Sequence, residues 1–493
     1  MRKMDSKHRY FLVFLIALLA SLCFQGSRGL YDRDETRYAE CAREMLVSHS
    51  WLVPLRDFHP HLTKPPFTYW AIASSFKIFG INEWGARFPN ALAFSITVVL
   101  VGLIAANLFE PRHGPWASMI YLSSIVPFAA ANIVTTDTIL VMWEVSAIWA
   151  FIKGWRAKTK NEAYLWFTLM ALFWGMGFLT KGPAIFPVAF SLGIFWFLNR
   201  HSFKVFPANL LVITIFLIVG FSWYLIIWKK YPWSFDLIIK EQVTGRLFSD
   251  MFHRNSVWYA PFYLYLPMIL LGCFPWAIFF YKSLKKSFLK KRNNIKQHFL
   301  SLFQEKGLLF IFLWWLVPLI IFSLAKSRLP LYILPVFPPM AIAIASFLDK
   351  KELLAPPFLN HKVLATLLCF VALKGLVAIF PMPQDARAMY KTFETYIVNE
   401  DDIDTLTGQF LDGLAFYSKK SIEHLPKEKS RFDKFWVDSS WEEELEEISS
   451  QKREVFVLKN RKDLTLLKQK GLEVKPLKTY HSYLLLEVRP SNG

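Results

Sequence analysis

Long apolar stretches recur along the chain as far as about residue 380. Stretches of roughly 17–25 apolar residues match the thickness of a bilayer core. Residues 67–80 form a shorter stretch that contains Lys77, so we expect it to be re-entrant or interfacial. The pattern therefore predicts an all-α polytopic membrane protein with about 11–13 transmembrane helices. The predicted spans lie near residues 10–26, 86–108, 115–131, 136–153, 163–179, 183–198, 208–228, 259–280, 308–324, 331–348 and 361–380.

After residue 380 the apolar stretches give way to a mixed pattern of charged and apolar residues. The segments VFVLKN and YHSYLLLEV are strand-like, and the segments SSWEEELEEIS and RKDLTLLKQKG are helix-like. Alternating strand and helix patterns predict a small α/β domain. We therefore divide the chain into a membrane domain at 1–380 and a C-terminal domain at 381–493, for which we expect a cap or docking role.

The composition favours a membrane protein over a nucleic-acid-binding protein. Hydrophobic residues make up 54% of the chain, and Phe alone accounts for 47 residues. The net charge is +19, but the basic residues lie in short connections between apolar stretches, as the positive-inside rule describes. Four cysteines provide no disulfide framework. We expect membrane lipids as partners and no nucleic acid.

The basic connections also predict a topology. With the N-terminus in the cytoplasm, 153–162, 199–206 and the run YKSLKKSFLKKRNNIKQ all fall on the cytoplasmic side. The first apolar stretch resembles a signal peptide but is followed by no Ala-x-Ala, so we expect an uncleaved first helix. The first external loop (27–85), the 229–258 loop and the C-terminal domain then lie outside the bacterial plasma membrane.

The first external loop carries a cluster of carboxylates around Asp34. Asp34 opens a helical pattern in which Tyr38, Cys41 and Met45 share a face, and such a helix is expected on the membrane surface. A helix N-terminus favours an ionised carboxylate, while an ordinary N-cap is the competing interpretation. Because Asp32 and Glu35 flank it, we interpret this segment as part of an active site.

Five cations share the predicted outer face with these carboxylates. Lys64 precedes two prolines that restrict its direction, although simple snorkelling is the alternative. Lys181 lies at a tight turn, where capping of a helix C-terminus is the competing interpretation. Ionisable groups at membrane depth are costly and are usually functional or paired. The other three cations are Arg246, Lys326 and Arg328, and the carboxylates Asp137 and Glu241 are predicted on the same face. This combination indicates an anionic lipid substrate.

Several motifs occur in a fixed order: DETRYAECAREML, TKPPFTYW, FGINEWGARFPN, FLTKGP and KSRLPLYILPVFPP. Over roughly residues 10–350 they resemble the bacterial aminoarabinose transferases of lipid A and related GT-C glycosyltransferases, a group that includes protein O-mannosyltransferases. The resemblance implies a GT-C fold and a transferase that moves a sugar from a polyprenyl-phosphate donor to an extracytoplasmic acceptor.

We expect the acceptor to be lipid A or another cell-envelope glycan. Protein O-glycosyl transfer is one alternative, and a flippase or transporter for lipid-linked sugars is another. We find no internal repeat of the kind that transporters carry, which favours the enzyme.

The resemblance also implies roles for individual residues. Asp34 matches the catalytic aspartate of the family, and Lys64 and Arg246 match cations that hold the donor phosphate. Tyr332 matches a tyrosine at the same site, and Lys181 is grouped with these phosphate-binding residues. The possible substrate-binding residues are Glu35, Asp137, Glu241, Lys326 and Arg328.

Two departures from the family pattern concern a metal. The aminoarabinose transferases commonly have Glu before the Lys-Pro-Pro lysine and a Glu-His pair in the later loop, and those residues are implicated in binding a metal. This chain has Thr63 at the first position and Gln242 after Glu241 at the second. We therefore predict no metal and no other cofactor.

Overall fold

The computed structural model divides into two compact units. The first comprises Met1–Gln25, Leu62–Thr68 and Arg87–Lys374, and the second comprises Gly26–His61, Tyr69–Ala86 and Gly375–Gly493. Most residues of the predicted cytoplasmic connections at 281–307 and 349–362 lie outside the described residues, and the predicted domain boundary at 380 stays a prediction. The described residues are 5–251, 253–281, 305–348, 357, 360–380, 382–400, 402–406, 408, 410–426, 440–451 and 453–490.

The α-helices of the described residues are numbered here in chain order. They are α1 (Ser6–Leu22), α2 (Glu35–Val47), α3 (Phe67–Phe79), α4 (Glu83–Leu108), α5 (His113–Leu122), α6 (Ile125–Ala131), α7 (Thr136–Trp155), α8 (Lys160–Lys181), α9 (Phe186–Asn199), α10 (Leu210–Lys230), α11 (Trp233–Asp236), α12 (Arg246–Phe248), α13 (Ala260–Gly272), α14 (Lys306–Leu324), α15 (Phe337–Ser346), α16 (His361–Ile379), α17 (Ala386–Ile397), α18 (Asp412–Ser418), α19 (Trp441–Gln451) and α20 (Leu464–Gln469).

The first unit is a bundle of apolar helices, and the chain is a polytopic membrane protein. Among the described residues, six helical stretches are long and apolar enough to cross a membrane. Ala260–Gly272 and Pro330–Ser346 are shorter apolar helices. Residues 67–79 form helix α3, whose 13 residues are too few to span about 30 Å of hydrocarbon, and the re-entrant or interfacial placement stays a prediction. The six stretches are Glu83–Leu108, Thr136–Trp155, Lys160–Ser202, Leu210–Lys230, Lys306–Leu324 and His361–Ile379.

Three predicted spans are interrupted among the described residues. The span predicted at 259–280 leaves the helix after Gly272 for a short turn, and two others break for local reasons. The span predicted at 115–131 is two helices, α5 and α6, and the hydroxyls of Ser123 and Ser124 at the break donate to carbonyls of the preceding turn. The span predicted at 331–348 begins as a 3₁₀ helix, Pro330–Val336, and continues as α15. Prolines lack the N–H that a continuous α-helix needs, so the apolar pattern alone does not reveal such breaks.

Close helix packing in the first unit depends on small residues. Helices α7 and α8 form a hairpin, and α10 packs along α8. A Cβ on Gly175 of α8 would lie 2.7 Å from the Val219 side chain and 3.2 Å from the backbone nitrogen of Gly220. Small residues let membrane helices approach closely, and here they let α10 pack against α8, the helix that ends at Lys181.

The second unit contains a five-stranded sheet with helices on both faces, which confirms the predicted α/β domain. The strand order is β4-β3-β5-β7-β6, with β3 parallel to both β4 and β5, and β7 antiparallel to both β5 and β6. Helices α17 and α18 cover one face, and α19 and α20 cover the other. The strands are β3 (Asp402–Leu406), β4 (Ser421–Leu425), β5 (Glu454–Leu458), β6 (Leu472–Tyr480) and β7 (Tyr483–Pro490).

Helix α2 in the second unit is confirmed, but its polar side is not solvated. Glu40 and Arg43 are buried and paired with each other, and buried Glu44 accepts backbone N–H bonds from Asp57 and Phe58 at 2.8 Å. Asp57 and Phe58 lie in a short hairpin between β1 (Leu55–Arg56) and β2 (His59–Pro60). The expectation of a simple surface helix is therefore wrong, because the hairpin and the C-terminal residues of the same unit cover its polar side.

Candidate active site

A cavity of about 440 Å³ lies within the first unit. Its walls are largely apolar and include Trp223, Tyr224, Phe186 and Phe322. Segments that are far apart in sequence supply the polar groups, because the helices of the bundle bring their ends together. The polar side chains at its wall are Thr63, Lys64, Asp137, Lys181, Gln242, Arg246, Ser327 and Tyr332.

Lys64 and Arg246 meet at the side chain of Gln242. The ammonium of Lys64 donates to the Gln242 amide oxygen at 3.2 Å. The guanidinium of Arg246 donates to the same oxygen through Nε at 3.1 Å and through Nη2 at 2.7 Å. One neutral oxygen therefore holds two cations side by side at the cavity wall.

Tyr332 completes this group of polar side chains. Its hydroxyl accepts a hydrogen bond of 2.8 Å from Nη1 of Arg246, and the Lys181 ammonium lies 4.6 Å from the centre of its ring. Such a cation–ring distance is attractive. The structure thus brings together all four residues that were predicted to bind phosphate: Lys64, Lys181, Arg246 and Tyr332.

Asp137 and Lys181 pair across the hairpin of α7 and α8. Asp137 lies in the first turn of α7 and Lys181 in the last turn of α8, so each charge also suits the dipole of its own helix. Gly182 ends α8 with φ +59°, a conformation that favours glycine, and a Cβ there would lie 2.9 Å from the Tyr224 hydroxyl. The sequence Lys-Gly-Pro therefore turns the chain at the cavity wall.

The remaining predicted residues of the first unit occupy different positions. Arg328 is buried, and its guanidinium donates to the carbonyls of Ser323, Asn255 and Val257, so the structure gives it a role in holding this loop. Lys326 is exposed and Glu241 is half-buried, and neither is among the described residues that line the cavity. Their predicted contact with substrate stays a prediction.

Asp34 lies in the second unit, immediately before α2. It occupies the N-cap position, but its side chain makes no capping hydrogen bond and is 77% exposed. Nη2 of Arg37 lies 3.9 Å from its carboxylate. The competing interpretation, an ordinary N-cap, therefore does not account for this carboxylate.

The two neighbouring carboxylates have structural partners. Glu35 is fully buried and accepts hydrogen bonds from Arg28 at 2.6 Å and from the backbone N–H of Tyr31 at 2.9 Å. Asp32 accepts a hydrogen bond from the Tyr483 hydroxyl and lies 3.6 Å from the Lys459 ammonium. Burial holds the pKa of Tyr483 well above its ordinary value, so its hydroxyl stays a donor. Of the three carboxylates, Asp34 is the exposed one.

Sequence reasoning missed the role of Gln242. It was considered only as a replacement for an expected metal ligand, whereas the structure makes it the acceptor that joins two cations. Its spacing of four residues from Arg246 was an available signal, because residues at i and i+4 are neighbours on a helix. Its contact with Lys64, 178 residues away in sequence, left no such signal.

Residues 63–227 match the family described as Dolichyl-phosphate-mannose-protein mannosyltransferase. Undecaprenyl phosphate-alpha-4-amino-4-deoxy-L-arabinose arabinosyl transferase 2 of Pseudomonas fluorescens (strain Pf0-1) is 30% identical over 371 residues, which are 74% of this chain and 64% of that protein. The chain therefore spans slightly less than two thirds of that relative.

The crystal structure of ArnT from Cupriavidus metallidurans bound to undecaprenyl phosphate has a TM-score of 0.78 at 18% identity and covers 97% of both chains. The chain shares the fold of that structure. A more distant GT-C structure is the archaeal oligosaccharyltransferase AglB from Archaeoglobus fulgidus, with a TM-score of 0.51 at 13% identity over 84% of this chain and 64% of that one. These likenesses establish a GT-C fold for the chain, as the sequence motifs predicted.

Proposed function

We propose that this GT-C protein is a membrane glycosyltransferase that moves a sugar from a polyprenyl-phosphate donor to a glycolipid or glycan acceptor of the cell envelope. The observation that carries the proposal is the arrangement of Lys64, Arg246, Lys181 and Tyr332 at one apolar-walled cavity. The cations suit the phosphate group of such a donor, and the apolar walls suit its polyprenyl chain.

The phosphate group of the donor is the part that these residues recognise. When the bond between C1 of the sugar and the phosphate oxygen breaks, the electron pair stays on the polyprenyl phosphate, which leaves with increased negative charge. Lys64 and Arg246 stabilise that charge, and Tyr332 orients the guanidinium of Arg246. Preorganised donors of this kind are typically worth about 10²–10³ in rate each.

Asp34 acts on the acceptor. It takes the proton of an acceptor hydroxyl as the new bond forms between the hydroxyl oxygen and C1 of the sugar, which contributes about 10²–10⁴ in rate. If the acceptor group is a phosphate that is already ionised, Asp34 orients it and takes no proton. Its exposure and the structural partners of Asp32 and Glu35 support Asp34 as the base.

The relatives suggest the class of acceptor. The names of the curated relatives identify them as transferases of 4-amino-4-deoxy-L-arabinose from undecaprenyl phosphate, and lipid A is the acceptor that the sequence resemblance implies. The description of the family that matches residues 63–227 names a mannosyltransferase that acts on protein. A protein acceptor is therefore the second candidate. Both candidates share a polyprenyl-type phosphate donor.

No divalent metal takes part at the position where the family pattern has its Glu and His. Thr63 and Gln242 stand there, and the Gln242 amide oxygen already accepts hydrogen bonds from Lys64 and Arg246. A divalent cation bound to that oxygen would lie beside two positive charges. These residues therefore do not fit a metal, and the two side-chain cations neutralise the phosphate.

The protein lies in the bacterial plasma membrane with its N-terminus in the cytoplasm, and the active site and the C-terminal domain are extracytoplasmic. The basic residues of the connections at 153–160 and 200–204 support this orientation. Fusions to a reporter enzyme that is active only outside the cytoplasm test this orientation. We expect reporter activity from a fusion after residue 493 and none from a fusion after residue 158.

Transfer by the purified protein tests the function. Undecaprenyl phosphate–aminoarabinose and polyprenyl phosphate–mannose are offered as donors, with lipid A or an acceptor peptide, and products are identified by mass spectrometry. Asp34→Asn and Lys64→Ala should lose transfer, and Lys240→Ala, a lysine that is 69% exposed, serves as the matched control. Normal transfer by both site variants, or movement of the lipid-linked sugar across vesicles without transfer, would overturn the proposal.

A further inference from the structure

Neighbouring strands β3, β4 and β5 carry acidic residues on one face of the C-terminal sheet. Asp404 of β3 pairs in register with Glu423 of β4 and with Phe456 of β5. Side chains two residues apart on a strand share a face, so Glu454 lies on the face of Phe456 and hence on that of Asp404. Three adjacent strands therefore place carboxylates on the same surface.

Helix α19 adds a further carboxylate to this face. Ile448 of α19 packs with Phe456 in the core on this side of the sheet, and Glu444, four residues earlier, shares the inner face of the helix. Carboxylate oxygens of Asp404, Glu423 and Glu444 lie within 4.8 Å of one another. We call these three residues, together with Glu454, the acidic cluster.

Two buried oxygens of the acidic cluster lack a hydrogen-bond partner. Glu444 and Glu454 are only 2% and 6% exposed, yet one carboxylate oxygen of each accepts no hydrogen bond in the described part of the chain. Asp404 is 2% exposed as well. Burying a carboxylate without a partner is costly, so a native fold that keeps this arrangement needs a positive charge or protons at this point.

We propose that the acidic cluster binds one Ca²⁺ ion, which ties strands β3 and β4 to helix α19. The donors are all carboxylate oxygens, the ligands that hard cations prefer. The oxygens lie within 4.8 Å of one another, close enough for one ion to contact all three. Ca²⁺ accepts such carboxylates in flexible geometry at about 2.3–2.6 Å, whereas Mg²⁺ requires about 2.0–2.1 Å and near-octahedral geometry. The ion stabilises the C-terminal domain and takes no part in sugar transfer.

Calcium binding to the full-length protein in detergent tests the proposal. The protein is treated with a chelator, then titrated with Ca²⁺ from 0.1 to 10 mM, and unfolding is followed by tryptophan fluorescence. We expect the Tm to rise by roughly 5–10 °C at about 100 times the Kd, and Mg²⁺ at equal concentration to shift it less. Equilibrium dialysis should give one Ca²⁺ per chain.

Two substitutions on the same helix separate the site from a general effect of charge. Glu444→Gln should abolish the calcium-dependent shift and the stoichiometric binding, while Glu446→Gln, an exposed residue of α19, should retain both. Asp404→Asn provides a second site variant if Glu444→Gln does not fold. The proposal would be overturned if the wild-type protein bound no stoichiometric Ca²⁺ or if all variants bound Ca²⁺ equally. A rise in the Tm of Glu444→Gln without calcium would also overturn it, because that result indicates that the carboxylates share protons.

Discussion

The ammonium of Lys181 lies 2.5 Å from a carboxylate oxygen of Asp137, and this ion pair closes the hairpin of α7 and α8. The two side chains are only 10% and 14% exposed. A pair with so little surrounding water contributes little net stability, because both charges lose hydration, but the loss of one partner leaves a costly charge behind. The pair therefore combines a structural role with a place at the cavity wall.

Asp137→Ala should destabilise the protein more than the double substitution Asp137→Ala with Lys181→Met. The single change leaves the Lys181 ammonium without its carboxylate, at a cost of about 3–5 kcal/mol, while the double change removes both charges. Thermal unfolding in one detergent measures the difference. Asp236→Ala, which breaks an exposed ion pair with Lys240, should have little effect. A double variant less stable than the single variant would contradict the prediction.

Gln242→Glu should raise the KM for the donor more than Gln242→Ala does. A carboxylate between Lys64 and Arg246 competes with the donor phosphate for both cations, whereas alanine removes only an acceptor. We expect KM to rise by roughly 10–100-fold in the glutamate variant, with a smaller change in kcat. Lys240→Ala, two residues earlier and 69% exposed, is the control. A glutamate variant with the wild-type KM would argue against a phosphate at this position.

Asp34→Asn and Asp32→Asn should have opposite effects. Asp34 is exposed and makes no capping bond, so its amide variant should lose about 10²–10⁴ in transfer rate at an unchanged Tm. Asp32 binds Tyr483 and Lys459, so its amide variant should lower the Tm and retain more activity per folded molecule. Transfer assays and unfolding curves on the same preparations measure both. Normal transfer by Asp34→Asn would exclude it as the base.

The sequence predicts those parts of the fold that depend on local patterns. Apolar stretches of bilayer length predict the helices of the first unit, and alternating patterns predict β5, β7 and α19. The break at Ser123 and the 3₁₀ start at Pro330 were missed because hydropathy does not register hydrogen bonds of the backbone. Local chemistry at those positions, rather than apolarity, decides where the helix stops.

The sequence predicted those residues of the candidate site that belong to motifs. It did not predict the contacts between residues that are distant in sequence. Lys64, Lys181 and Tyr332 belong to recognisable motifs, and the structure places them at one cavity. The burial of Glu44 depends on a hairpin that follows it by more than ten residues, so the helical pattern that follows Asp34 did not reveal it. Arg328 was likewise predicted as a possible substrate-binding residue, because its three carbonyl acceptors lie at positions that the motif does not include.

Stability should fall as the pH rises from 6 to 9, and Glu44→Gln should reduce that fall. Burial raises the pKa of Glu44 to about 9, with a further contribution from Glu40, whose own pKa burial raises to about 7. The folded state therefore keeps a proton that the unfolded state releases above its ordinary pKa of about 4.5, so each pH unit between these values favours unfolding. Arg43 and the N–H groups of Asp57 and Phe58 oppose this shift without cancelling it.

The difference in Tm between wild type and Glu44→Gln, measured at pH 6, 7, 8 and 9, isolates this carboxyl from other titrating groups. The wild type should lose stability relative to the glutamine variant at each step, because glutamine has no proton to release. Glu446→Gln, exposed on α19, should follow the wild type throughout. Parallel curves for wild type and Glu44→Gln would mean that the Glu44 carboxylate is already ionised in the folded protein, held by its two backbone donors despite its burial.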